Sequence, residues 1–139
     1  MVLPDIKISS LISEGKIVIN PFNENRLTPQ GYDISLEDFS IKPGEFKIFK
    51  TVERIEVPNN LLAIPFLRTT YAFKGLILSP GIIDAGFKGH LKIALYNSGT
   101  EIIEAEGSDH LIAPLHLIFI QTNGESGIPF GGRIDEYLD

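Results

Sequence analysis

The stretch "EFKIFKTVERIEVPNN", residues 45–60, decides the fold class. Charged and apolar residues alternate as far as Val57, the period of a strand with one face in a core. Pro58, Asn59 and Asn60 then supply turn chemistry where the run stops. Upstream, "YDISLEDFSI" (32–41) alternates in the same way and ends at the turn dipeptide Pro43-Gly44. Downstream, "LLAIPFLRTTYAFKGLILS" (61–79) is mostly apolar, and "HLKIALYN" (90–97) and "HLIAPLHLIFIQT" (110–122) read as two further strands. Glycines and prolines recur at intervals that suit an antiparallel sandwich or barrel.

The N-terminus reads differently. Pro4 suits a first helical turn, Ile8, Leu11 and Ile12 recur at helical spacing, and Gly15 can end the helix, which predicts one short helix over Pro4–Glu14. "KIVINPF" (16–22) reads as a strand stopped by Pro21, and "NENRLTPQG" (23–31) as a polar loop. The tail "NGESGIPFGGRIDEYLD" (123–139) is Gly-rich. The expected organisation is a single domain over 1–139, with a helix and strand in 1–21 and a mobile C-terminal arm over 122–139.

Bulk numbers bound the function. A chain of 139 residues suits one domain with a sizeable core. Apolar residues make up 43% and charged residues 22%, ordinary for a globular protein. No apolar run reaches the ~18 residues of a membrane span. "MVLPDIKISSLISEG" lacks a basic region followed by an apolar stretch, so no signal peptide is expected and the cytoplasm is the default location. With no cysteine, disulfides and thiolate metal sites are excluded. A formal charge of -6 argues against a nucleic-acid coat, which needs a cationic face. It does not argue against a small phosphorylated ligand, which a few placed cations, backbone amides or a metal ion can hold.

"GIIDAGFKGHLKIALYNSG" (81–99) poses the functional question. A lone carboxylate, Asp84, sits in a tight Gly-rich turn between apolar runs. On the hairpin alone it is either turn chemistry, for which Asp is favoured, or a catalytic base. His90, His110 and His116 show no metal-ligand spacing, and His116, in an apolar strand, reads as structural. Lys74 and Lys88 read as solvated loop lysines. No P-loop, Gly-x-Ser-x-Gly or dinucleotide fingerprint is present.

The order of local patterns carries more than any one of them. "LISEGKIVINPF" (11–22), "TPQGYDISL" (28–36), "FLRTTYAFKGL" (66–76), the 81–99 hairpin and "EGSDHLIAPLHLIF" (106–119) together resemble the dCTP deaminase/dUTPase family, over nearly the whole chain to about Gln121. The N-terminal segment looks like the deaminase branch and its archaeal dUTPase relatives. The resemblance implies a distorted jelly-roll or β-barrel of the dUTPase-like type, all-β but for one short N-terminal helix. It implies a homotrimer acting on pyrimidine deoxynucleoside triphosphates with Mg²⁺, and no membrane or nucleic-acid partner.

Carried onto this sequence, the resemblance makes Asp84 the carboxylate that activates the attacking water, a role a carboxylate within hydrogen-bond reach of water can fill. Ile83 and Phe87 belong to the substrate pocket, Phe87 as the aromatic that packs on the deoxyribose and excludes a 2′-hydroxyl. Arg68, Thr69 and Thr70 match the phosphate segment, where hydroxyls and a guanidinium can meet phosphate oxygens or Arg68 can anchor a neighbouring subunit. Asp33 matches the carboxylate that holds Mg²⁺, usually through water. Phe130 and Arg133 are either a degenerate closing arm, meeting base and γ-phosphate, or part of an ordinary tail.

Three departures shape the expected activity. Ala94 stands where the deaminase carries its Glu, and Phe73 where it carries an Arg. An alanine methyl moves no proton, so deamination is not expected. In "LIAPL" (111–115), Pro114 takes the place of a phosphate-contacting Gln, and proline offers neither side-chain amide nor backbone N–H. The expected function is dUTP diphosphatase, releasing dUMP and pyrophosphate by water attack on the α-phosphate. The alternative is a catalytically degenerate relative that binds nucleotide or a protein partner without turnover.

Overall fold

The computed structural model describes residues 1–79, 81–105 and 113–131. In chain order the elements are α1 (Asp5–Ser13), β1 (Val18–Asn20), a 3₁₀ turn (Glu24–Arg26), β2 (Leu27–Thr28), β3 (Gly31–Ile34), β4 (Ser40–Ile41) and β5 (Phe46–Glu56). Then follow β6 (Leu61–Leu67), α2 (Thr69–Ala72), β7 (Leu76–Ser79), β8 (Lys88–Asn97), β9 (Ile103–Glu104) and β10 (Leu115–Gln121). They form two four-stranded sheets, β1-β5-β8-β7 and β2-β3-β10-β6, plus the pair β4-β9. Every one of these ladders is antiparallel, the all-β architecture that the alternation and turn spacing imply. No helix among the described residues is long and apolar enough to cross a membrane.

The core lies between the sheets. Leu115, Leu117 and Phe119 point inward from β10, and Leu91, Ile93 and Leu95 from β8. Burying each such side chain contributes about 1.5–3 kcal/mol. Ile8 of α1 and Ile17 and Ile19 close one flank of the same cluster. Pro65 sits inside β6 without breaking a ladder, because β6 is an edge strand and the missing N–H costs no partner there. Asn20-Pro21, where β1 stops, is a cis bond.

Residues 46–56 of this stretch form a strand, β5, whose burial alternates from Phe49 on, but its faces do not sort by polarity. Phe46 and Ile48 are 62% and 60% exposed, whereas Thr51 and Glu53 are buried beside Phe49 and Ile55. The register against β8 shifts between Lys50 and Arg54. Thr51 bridges that irregularity, its hydroxyl accepting from Leu91 N–H at 3.0 Å and donating to the Glu53 carbonyl at 2.7 Å.

Glu53, 2% exposed, is satisfied at every approach. The Arg26 guanidinium donates to its Oε2 at 2.8 Å, the Ser35 hydroxyl to the same oxygen at 2.8 Å, and Ser35 N–H to Oε1 at 3.0 Å. Loss of hydration nevertheless outweighs these bonds and raises the Glu53 carboxyl above its ordinary range. Burial likewise raises the neighbouring Tyr32 phenol, which accepts from Asn23 N–H at 2.9 Å.

Two local expectations need correction. The N-terminal helix is not alone: Thr69–Ala72 forms a second, one-turn helix inside the run read as mostly apolar strand. Burial of Tyr71 against Phe39, ring centroids 5.9 Å apart, overrides the strand preference of the threonines. "YDISLEDFSI" is also two strands, because Asp38 turns the chain with φ +50° between β3 and β4.

Candidate functional site

Between β7 and β8, the 81–87 stretch pairs with the other sheet before entering β8. Ile83 is pinned to Ala63 of β6 by a bond each way, Ile83 N–H to Ala63 O at 2.8 Å and Ala63 N–H to Ile83 O at 3.0 Å. Gly86 N–H donates to Val57 O, and Val57 N–H to Phe87 O, each at 2.9 Å. The turn closes through Phe87 N–H on Asp84 O at 3.1 Å. Gly86 needs its φ of +87°, and a Cβ there would press on Phe130 and Asn59. The framework holds Ile83 and Phe87 in the core and leaves the Asp84 side chain exposed.

Asp84 opens onto a cleft of about 420 Å³ shared with Leu62, Thr122, Ser126, Pro129 and Phe130. Phe130 lies edge-on to Phe87 with centroids 5.6 Å apart. The first part of the expected arm is therefore laid along the hairpin of its own chain, anchored by Ser126 N–H to Asn59 O at 3.1 Å. Arg133 lies outside the described residues.

A second cluster gathers on β3, β10 and the end of β6. Asp33 is its centre: its Oδ1 is 3.1 Å from His116 Nδ1 and its Oδ2 3.5 Å from Arg68 Nε. Asp33 and His116 are direct cross-strand partners, and His116 also faces Phe66 of β6. Gly31 makes room for the imidazole, since a Cβ there would fall 2.7 Å from His116 Cε1 and 2.4 Å from Leu117 O. Arg68 also ties down the incoming chain, its N–H donating to Pro114 O at 2.8 Å and its Nη1 to Ala113 O at 3.1 Å. Thr69 and Thr70 follow in the first turn of α2, both exposed.

The chain thus brings Asp33, Arg68, Thr69 and Thr70 into one region and Ile83, Asp84, Phe87 and Phe130 into another. It does not bring the two together. Thr122, beside Asp84, and His116, beside Asp33, are six residues apart on one extended segment, or roughly 20 Å.

Comparison with known proteins settles the family. The dUTPase family pattern matches residues 19–125. The chain belongs to the dUTPase family. It is 33% identical to a probable deoxyuridine 5′-triphosphate nucleotidohydrolase of Sulfolobus islandicus rod-shaped virus 1, over 96% of this chain and 92% of that one. It is 30% identical to a dCTP deaminase of Thermococcus kodakarensis, over 96% and 91% of the two chains. Among solved structures it is similar to the native EIAV dUTPase, with a TM-score of 0.59 and 26% identity over 83% of this chain and 92% of that one. A dCTP deaminase from Agrobacterium tumefaciens shares the fold at a TM-score of 0.65, 13% identity, 85% of this chain and 47% of that one. The family thus holds members named for either activity.

Within this dUTPase-family fold, sequence reading passed over three polar residues. His116 read as structural, yet it is the side chain that the 111–121 segment sends to Asp33, while Pro114 supplies only a backbone carbonyl to Arg68. The available signal was period two: His116 alternates with Leu115 and Leu117, as Asp33 does with Tyr32 and Ile34, so both leave the core face. Thr122 and Ser126 line the Asp84 cleft and carry no motif. Ala94 lies on β8 opposite Ser79, and Phe73 ends α2 at 86% exposure.

Proposed function

We propose that this protein is a dUTP diphosphatase that converts dUTP and water to dUMP and pyrophosphate. The observation that carries the reading is the Asp84 hairpin: an exposed carboxylate on a rigid turn beside a cleft. Asp84 would accept a proton from water as that water attacks the α-phosphorus, and the P–O bond to the pyrophosphate leaving group would break in line. Phe87 would hold the deoxyribose, Ile83 the base, and Arg68, Thr69 and Thr70 the phosphates.

Mg²⁺ suits the donor set only in its usual form. No group of three or more His, Asp or Glu side chains gathers among the described residues. Asp33 already meets the Arg68 guanidinium and the His116 ring, and a carboxylate keeps about four lone-pair sites, so it can still accept from a metal-bound water. A hydrated ion carried on the triphosphate fits that arrangement and would neutralise phosphate charge.

The roughly 20 Å of extended chain between Thr122, beside Asp84, and His116, beside Asp33, supports an oligomer in which one copy supplies the hairpin and another the phosphate cluster. Two unlike apolar faces support the same reading. Ile64, Phe66, Ile118 and Ile120 lie on the non-core face of one sheet, and Phe46, Ile77 and Tyr96 form an exposed row across the other. Unlike faces pair head to tail, which closes into a ring, and the expected ring is a homotrimer.

A second reading, nucleotide binding without turnover, is favoured by Phe130, which covers a Phe87 that is itself 2% exposed. Pyrophosphate release separates the two. Release from dUTP that stops on chelation of Mg²⁺, with little from dCTP or dTTP, is the expected result. Binding of dUTP with no release from any of the three would establish the second reading.

A further inference from the structure

The side chain of Asp33 is only 14% exposed, so its neighbours and not bulk water set its direction. They hold it unequally. Arg68 Nε stands 3.5 Å from Oδ2, longer than an ordinary N–H···O bond, and the same guanidinium is drawn to Ala113 O at 3.1 Å. His116 Nδ1 stands 3.1 Å from Oδ1, within the ordinary range. Pro114 offers the cluster no N–H at all, and His116 is the next polar side chain along the segment.

The imidazole is itself fixed. β10 is paired on both sides, to β3 and to β6, which holds the backbone of His116 in register. The ring lies over Gly31, where any Cβ would collide with it. No hydrogen-bond partner of its Nε2 is found among the described residues, so the contact with Asp33 is what orients it there. The fold has no need of an imidazole at this position. His116 is on the outer face of the sheet, while Leu115 and Leu117 on either side of it fill the core. An apolar side chain would pack as well against Phe66 across the ladder.

We propose that His116 is a positioning residue: its Nδ1–H donates to Asp33 Oδ1 and fixes the carboxylate plane, so that the remaining lone pairs meet the hydrated cation carried on the triphosphate in one orientation. The inference rests on the dUTPase reading and deepens it. The contact needs a hydrogen on Nδ1 and nothing more, and the carboxylate facing that nitrogen selects it. A carboxylate free to rotate would spread its lone pairs over a wide arc, whereas the water shell of Mg²⁺ demands near-ideal directions. Residues that orient a metal-facing group in this way usually matter about 10–100-fold for metal affinity.

The test titrates the full-length protein with the non-hydrolysable α,β-imido analogue of dUTP, with Mg²⁺ and with a chelator, and reads the gain in affinity that Mg²⁺ gives. His116→Leu removes both ring nitrogens. His116→Asn returns an N–H donor at about the place of Nδ1, and His116→Gln returns one at about the place of Nε2. The expected result is that His116→Leu loses about 10–100-fold of the gain, that His116→Asn recovers most of it, and that His116→Gln does not, all with melting temperatures near that of the parent. Recovery by Gln and not by Asn would put the outer ring nitrogen on phosphate and overturn the proposal. An unchanged gain in His116→Leu would overturn it, as would equal losses in all three variants with lowered melting temperatures, which would leave the ring as packing. A parent that binds the analogue equally with and without Mg²⁺ would overturn it too. If the parent does not bind the analogue at all, the dUTPase reading fails and takes the proposal with it, and that shows before any variant is made.

Discussion

Asp84→Asn lowers kcat for dUTP by about 10²–10⁴-fold, the range that general-base assistance contributes, while KM moves little. The substitution keeps the size and the turn chemistry of the side chain and removes the proton acceptor. Structure should survive it, because the turn is held by backbone bonds, Phe87 N–H to Asp84 O and Gly86 N–H to Val57 O, that the side chain does not enter. Steady-state pyrophosphate release with a parallel melting curve decides the matter. A variant that turns over dUTP like the parent would remove Asp84 from the mechanism, and the search for the base would move to the Asp33–His116 pair.

Arg26→Met destabilises the fold by about 3–5 kcal/mol, because it leaves a buried carboxylate without its counter-charge. Arg26 and Glu53 are both nearly inaccessible, and their contact is 2.8 Å. The loss should grow with pH. Glu53 already has a folded-state pKa above its unfolded one, so the folded protein binds its proton more tightly. Stability tied to that group is therefore fully present below the unfolded carboxyl pKa and lost as pH rises through the folded one. Removing Arg26 raises the folded value further and widens that window. Denaturant unfolding of both proteins at mildly acidic and mildly alkaline pH checks this. A pH-independent difference would mean that Arg26 stabilises through packing of its stem.

The fold class was legible because most of β5, β8 and β10 follow the period of two, with proline, glycine and asparagine at the turns. Which residues fill each face of β5 was not legible. Glu53 sits on the buried face because a guanidinium 27 residues away and the Ser35 hydroxyl meet it there, a tertiary fact. The hairpin could be read from its own residues, since Asp84, Gly86 and Phe87 are set by local turn chemistry. The Asp33–His116–Arg68 cluster could not, because it joins residues 83 and 35 positions apart through strand pairing.

The distance between the hairpin and the phosphate cluster has a genetic consequence. Damage confined to Asp84 and damage confined to Arg68 would fall on different halves of any shared site. Two inactive variants, each useless alone, should rescue one another when unfolded and refolded as a mixture. At equal amounts, random assortment in the proposed three-membered ring would leave about a quarter of the junctions with both halves intact. The pair of alleles would then complement in one cell, although each encodes the same single polypeptide.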